Sequence, residues 1–404
     1  MSDEGIKLVG CGVDTLVLNV RYTDEDGVPV QRELDEGLQA ELDRLQGVAR
    51  LNEEAVESPW VFLGVAPLFV EPHGGGKQWR WLLTCPLLKI AVSRGRFNDI
   101  IAQVRFSSEF LWSQAWCGDA LSIVYAFLMD ALFGGSIGLQ VSEVHLCADE
   151  TGYDFAECDY TTGFVTRVRK NEAVYGADSV ASDCRRVSTL AFSKHRSPIS
   201  AVIYNKTLEI RQQSGKTWFY DLWRRHGWDE TSDVWRVECR FKREFLHEVK
   251  IEDAYDILGQ FKQLWDYAVG RVGGGDDGLP DGWLRYVLPD GDDSNRPVHP
   301  AWAVVQGAFV EDGDPGLGSL VRQRIYEKNV ERGIAATVGY LSTLAAWLGG
   351  DKAAPGADVT LMLHWLAEHG PAYLEAKQRD FAEEVQKKQR RYASADPNDE
   401  SEVA

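Results

Sequence analysis

The chain has little with which to enter a membrane or build a disulfide framework. Its most apolar run, Ala120 to Phe133, is too short and too interrupted to span a bilayer, which takes about 20 apolar residues. The opening Met1-Ser2-Asp3-Glu4 offers neither the basic nor the apolar region of a signal peptide, so none is expected. Its cysteines, Cys11, Cys85, Cys117, Cys147, Cys158, Cys184 and Cys239, are odd in number and include no C-x-x-C pair. That argues against a disulfide scaffold and a zinc ribbon, and points to a reducing cytoplasm. Positive charge is scarce as well: 43 Lys and Arg face 62 Asp and Glu, a net charge of -19. This balance is awkward for a nucleic-acid protein, because phosphate contacts need cations to release condensed counterions. Gly215-Lys216-Thr217 has the ending of a P-loop, but residue 210 is Ile210 and no upstream glycine completes the motif, so ATP binding is not expected. No repeat of fixed period is present.

What is there describes a folded chain. An apolar share of 44% and an aromatic share of 11%, with 14 Trp, exclude a largely disordered protein. At 404 residues the chain exceeds what one core holds, since cores stop growing near about 250–300 residues, so two units are expected. Its charge is unevenly spread. Tyr160 to Lys250 carries 17 Lys and Arg against 11 Asp and Glu, a local +6 that leaves -25 for the rest.

Periodicity predicts a strand over Gly12 to Val20, a helix over Glu33 to Leu51, and antiparallel strands between Trp60 and Arg105, among them Trp79 to Thr84 and Leu87 to Val92. A helix over Ala120 to Gly134 then leads into a strand from Leu139 to Cys147. Further strands are expected at Phe164 to Arg169, Val187 to Phe192, Ile199 to Tyr204 and Val234 to Phe241. The fold class is α+β, a sheet with helices on one face. Residues 1–270 form the first unit. Residues 271–300, dense in turn formers and acids, are expected as a linker or long loop, residues 301–395 as a mainly helical region, and residues 396–404 as a disordered acidic tail.

Three segments carry candidate chemistry. On a strand over Val141 to Asp149, alternation puts Glu143, His145, Cys147 and Asp149 on one face. Such groups must be paired, protonated or metal-bound when buried, which makes His145 and Asp149 candidate ligands for Mg²⁺ or Mn²⁺; the alternative is a solvent-facing edge strand. On Val234 to Phe241, Arg236, Glu238 and Arg240 share a face. Glu238 is either a third metal ligand whose arginines hold phosphates, or one member of a surface ion-pair ladder. Between them in sequence lies Tyr204, with Lys206 on the same face by alternation and Glu209 close behind. A phenol is a poor nucleophile unless a cation or base stabilises its phenolate, and Lys206 is the cation expected to do so. Trp218, Phe219, Tyr220, Trp223 and Trp228, interleaved with Lys216, Arg224 and Arg225, suit either a stacking wall for single-stranded DNA or the packing of an amphipathic helix.

Val141 to Asp149, Ser188 to Glu209 and Trp235 to Leu246 together resemble, in order and spacing, the replication initiation factor (Rep_trans) family of rolling-circle initiators and relaxases of plasmids, integrative elements and phages. Weaker likeness runs from about Gly10 to Gly270. The resemblance implies an RRM-like antiparallel sheet and a metal-dependent nick in one DNA strand at an origin. It also implies a covalent 5′-phosphotyrosine that leaves a 3′-hydroxyl for a polymerase. By motif position the tyrosine is Tyr204 and the carboxylates are Asp149 and Glu238. Where an acid is expected in the first block the chain has His145, which leaves open whether His145 is a ligand or a general base. The His-hydrophobe-His metal motif of the better-known nicking enzymes is absent. Lys194, Arg196, Arg236 and Arg240 are the expected DNA contacts, a host helicase and polymerase the expected partners, with a homodimer left open and no membrane. The departure at His145 also keeps in view a non-catalytic origin-binding protein of the same fold.

Overall fold

In a computed structural model, residues 5–97, 99–113, 117–160, 162–167, 187–275, 281–292, 295–309, 330–348, 358–377, 380–383 and 385–386 are described. They divide into two compact units, Met1–Arg322 and Gln323–Ala404.

The first unit opens with β1 (Lys7–Tyr22), α1 (Glu36–Asn52), β2 (Val56–Phe62), β3 (Ala66–Val70), β4 (Trp81–Thr84), β5 (Leu88–Phe97) and β6 (Ile100–Phe106). Next come α2 (Ser108–Ser113), α3 (Cys117–Phe127), β7 (Ile137–Thr151), β8 (Phe164–Thr166), β9 (Thr189–Phe192), β10 (Ile199–Asn205), α4 (Lys206–Glu209), α5 (Trp218–Arg225) and β11 (Val234–Lys242). It closes with α6 (Arg243–Glu248), α7 (Phe261–Val269), β12 (Leu284–Tyr286) and α8 (Pro300–Gln306).

Ten of these strands form one sheet in the order β2-β3-β4-β5-β6-β1-β7-β11-β10-β9, with antiparallel pairing throughout. The α+β expectation holds. Helix α1 begins where the Asp35 side chain accepts from the Leu38 N–H, and it buries Leu38, Leu42, Leu45 and Ala49 at helical spacing. Helix α3 runs on through a wider turn, Leu128–Phe133, and stops at Gly134 in the left-handed region with φ 58. No helix among the described residues is long and apolar enough to cross a membrane.

Two apolar clusters stabilise the first unit. The larger runs through the sheet from Leu16, Leu18 and Val20 to Val144, Leu146 and Phe241, and takes in Trp265, Trp283 and Trp302. The smaller gathers Val9, Ile210, Phe219, Trp223, Trp228 and Val234. The aromatic segment over 218–228 is therefore packing, not an open stacking wall: Phe219 and Trp223 are fully buried.

Of the two expectations for residues 271–300, a linker or a long loop, the described part has the form of a long loop packed onto the first unit. Trp283 and Leu284 are buried, β12 pairs with β8, and His299 caps α8. Buried apolar side chains override the turn-rich composition, so the first unit extends past residue 300. The proposed tail, 396–404, lies outside the described residues. The second unit holds α9 (Val330–Trp347) and α10 (Val359–Ala376), which meet through Leu341, Ala345 and Met362.

Candidate active site

Strand pairing lays the three sequence segments side by side. Tyr204 on β10 is opposite Arg236 on β11, Arg236 is opposite Asp149 on β7, and Asp149 is opposite Gly10 on β1. Two residues along, Val202, Glu238, Cys147 and Gly12 form the next row, followed by Ser200, Arg240, His145 and Thr15. Because side chains alternate between faces, these rows share one face of the sheet. The face stays polar through its middle because its charges are paired with one another.

Those pairs sort into two groups. In the first, Arg236 is fully buried and binds Asp149 with both Nε (2.6 Å to Oδ1) and Nη2 (2.8 Å to Oδ2). Its Nη1 donates to Asp14 at 2.5 Å, and the Trp223 indole N–H donates to Asp149 at 2.9 Å. The guanidinium lies over the Phe219 ring, 4.6 Å from its centroid. Burial opposes the positive charge, but Asp149 outweighs it and the Arg236 pKa is raised. Trp112 from α2 closes over this end of the face, and the approach needs glycine on β1: a Cβ at Gly12 would lie 3.1 Å from the Trp112 ring.

In the second group, His145 stands between two carboxylates. Its Nε2 is 2.7 Å from Glu143 and its Nδ1 is 3.1 Å from Glu238. A neutral imidazole has one N–H, so two carboxylate partners call for the imidazolium. Burial disfavours that charge, yet the hydrogen bonds and charges of Glu143 and Glu238 raise the His145 pKa. Conversely, burial pushes Glu143 up while His145, Lys242 and Arg105 pull it down to about 2. Glu238 is likewise lowered, its burial outweighed by His145 and Arg240. Arg240 Nε donates to Glu238 at 2.7 Å, and the Tyr204 hydroxyl donates to the other Glu238 oxygen at 3.3 Å. Burial raises the Tyr204 pKa well above its usual value; Arg236 opposes the rise and Glu238 adds to it. Tyr204 is therefore a neutral phenol in this arrangement.

Several expectations change. Tyr204 and Glu238 meet, and His145 joins them. Asp149 does not: both its oxygens are taken by Arg236 and Trp223, so it is a counter-ion. Arg236 is not a DNA contact, because its guanidinium is buried and paired. Lys206 does not share the strand face of Tyr204. The Asn205 side chain accepts from the Leu208 N–H and starts α4 there, so strand alternation ends one residue too early. The Lys206 ammonium is buried, bonds Glu209 at 2.6 Å, and lies 5.6 Å from the Tyr204 ring centroid rather than at its hydroxyl. Lys194 and Arg196 are exposed in the β9–β10 turn.

The donor set does not fit the expected Mg²⁺ or Mn²⁺. The two nitrogens of His145 point to opposite carboxylates and Asp149 is committed elsewhere. No group of three His, Cys, Asp or Glu among the described residues converges as metal ligands do. Sequence reading missed Asp14, whose role depends on a partner 222 residues away. It placed Glu143 on the right face but gave it no role, although a carboxylate two residues from His145 on a strand was the available signal.

No protein-family model matches this chain, and no curated protein matches it by sequence. Among solved structures it is similar to "Structure of Rolling Circle Replication Initiator Protein from Geobacillus stearothermophilus", with 12% identity over 79% of this chain and 100% of that one, at a TM-score of 0.39. A likeness at that score supports no functional argument.

Proposed function

We propose that this chain is a DNA-nicking and strand-transfer protein that initiates rolling-circle replication or mobile-element transfer, with Tyr204 as the nucleophile. The observation that carries the reading is the Tyr204 hydroxyl seated on Glu238, on a sheet face bordered by Arg240, Lys242 and Arg105. The three-block resemblance of the sequence supports it independently.

In the proposed reaction the Tyr204 oxygen attacks a backbone phosphorus and its proton passes to Glu238. The bond from phosphorus to the 3′-oxygen breaks, and the leaving oxygen takes a proton from solvent. The products are a 5′-phosphotyrosine and a free 3′-hydroxyl. Resting Tyr204 and Glu238 hold the proton firmly on the phenol, so transfer has to accompany attack. Arg240 and the His145 imidazolium offset the carboxylates as an anionic phosphate arrives. Protein and supercoiled DNA carrying its coding locus and flanks, resolved on denaturing gels, test this. The expected result is nicks and protein-linked DNA that vanish in Tyr204→Phe, with parallel Mg²⁺, Mn²⁺ and chelator lanes reading the metal requirement.

A second reading has its own observation. The raised Tyr204 pKa, the lowered Glu238 pKa and the unassembled metal ligands all suit a DNA-recognition protein of this fold that has no cleavage activity. That reading predicts salt-sensitive origin binding with no scission under any metal.

A further inference from the structure

We propose that a cleft beside this face holds a backbone phosphate of the substrate strand, bound by Lys89, Arg105 and Lys216. The inference extends the DNA-nicking reading by assigning a substrate subsite away from the reacting atoms. The cleft has a volume of about 230 Å³, and its polar wall includes Thr15, Ser107 and Ser108 besides the three cations.

Charge argues for an anion there. Asp14 is the one carboxylate in the wall, and it is already matched by Arg236. Three cations from β5, β6 and the segment before α5 thus line a cleft whose one acid is neutralised, with Arg105 also reaching Glu143 outside it, in a chain whose net charge is -19. The Lys216 ammonium is held at the cleft by the Ser108 hydroxyl at 2.7 Å, a neutral partner, and among the described residues no carboxylate pairs with it. Lys89 is exposed, and among the described residues Arg105 has one ion pair, a long one of 3.7 Å, with Glu143. Hydroxyls beside Lys89 and Lys216, neither of them paired with a carboxylate among the described residues, suit the non-bridging oxygens of a phosphodiester.

Position argues for DNA. Lys89 is opposite Arg105, Arg105 opposite Val17, and Val17 opposite Glu143, so the cleft continues the row that ends in Lys242 on β11. Between Tyr204 on β10 and Lys89 on β5 are five strand steps, about 24 Å at the usual spacing of ~4.8 Å. That is roughly seven nucleotides at the ~3.4 Å rise of one B-form strand. A strand lying across the sheet with its scissile phosphate at Tyr204 therefore presents a flanking phosphate to the cleft.

The test uses the full chain carrying Tyr204→Phe, so that binding is measured without cleavage. Fluorescence anisotropy with a labelled single-stranded oligonucleotide from its own locus is recorded over a salt series, with and without Lys89→Gln and Lys216→Gln. Each lost contact is expected to reduce the slope of log K against log salt by about 0.7, so the double variant changes by about 1.4, while Arg44→Gln on α1 leaves it unchanged. An unchanged slope and affinity in the double variant overturn the proposal, as does an absence of single-strand binding in the parent. ATP binding that the two substitutions abolish, with no change in the DNA slope, overturns it in favour of a free nucleotide. Failure of nicking by the wild type, with the slope change intact, counts against Tyr204 chemistry and leaves the subsite standing.

Discussion

Replacing Asp149 with alanine separates two roles for that residue, because a metal ligand and a buried counter-ion fail differently. In the structure Asp149 is fully buried and accepts three hydrogen bonds, two from Arg236 and one from Trp223. Asp149→Ala leaves Arg236 in the interior with Asp14 as its remaining carboxylate and leaves the Trp223 N–H unpaired. Breaking a buried pair on one side costs about 3–5 kcal/mol, because the surviving charge stays desolvated. For a urea dependence of about 3 kcal/mol per molar, that loss lowers the unfolding midpoint by about 1 to 1.7 M. Intrinsic tryptophan fluorescence of the full chain follows the transition, since Trp223 lies at the site. Asp149→Ala combined with Arg236→Met removes the stranded charge, so the double variant is expected to be less destabilised than the two single losses added together. An Asp149→Ala protein with an unshifted midpoint would refute the counter-ion assignment, and a midpoint raised by Mg²⁺ in the wild type but not in Asp149→Ala would favour a ligand.

Two further outcomes follow from buried groups. Glu150 is fully buried with neither oxygen hydrogen-bonded, and burial raises its pKa well above the usual carboxylate value. The folded state therefore keeps a proton that the unfolded chain loses above about pH 4.3, so this group lowers stability as pH rises, by up to ~1.4 kcal/mol per unit. Glu150→Gln is expected to match the wild type near about pH 4 and to exceed it increasingly towards about pH 7; parallel urea midpoints across that range would contradict the assignment. Gly12→Ala drives a methyl to 3.1 Å from Trp112 and is expected to cost about 1–3 kcal/mol by overpacking. Trp112→Ala in the same chain should recover part of that loss in the same unfolding assay, and strict additivity of the two would count against the contact.

Much of this architecture is legible in the sequence because local signals agree with tertiary ones. The first strand, α1, and the strands bearing His145, Tyr204 and Glu238 follow their periodicity, and alternation put Glu143, His145 and Asp149 on one face as found. What escaped reading depends on partners distant in sequence. Nothing near Arg236 says that it pairs with Asp14 and Asp149 instead of facing solvent. Lys206 leaves the face that strand alternation predicts for it because Asn205, a helix cap, ends the strand just before it. The segment 271–300 reads as a linker or long loop by composition, and composition does not reveal that Trp283 and Leu284 are buried in the core.

The central claim concerns one oxygen atom, the Tyr204 hydroxyl, and mass spectrometry of the DNA-linked protein tests it most directly. After the nicking reaction, nuclease trimming and proteolysis, the account predicts a nucleotide adduct on the peptide that contains Tyr204, absent from Tyr204→Phe. An adduct on a different tyrosine, or nicked DNA with no adduct on any peptide, would contradict it.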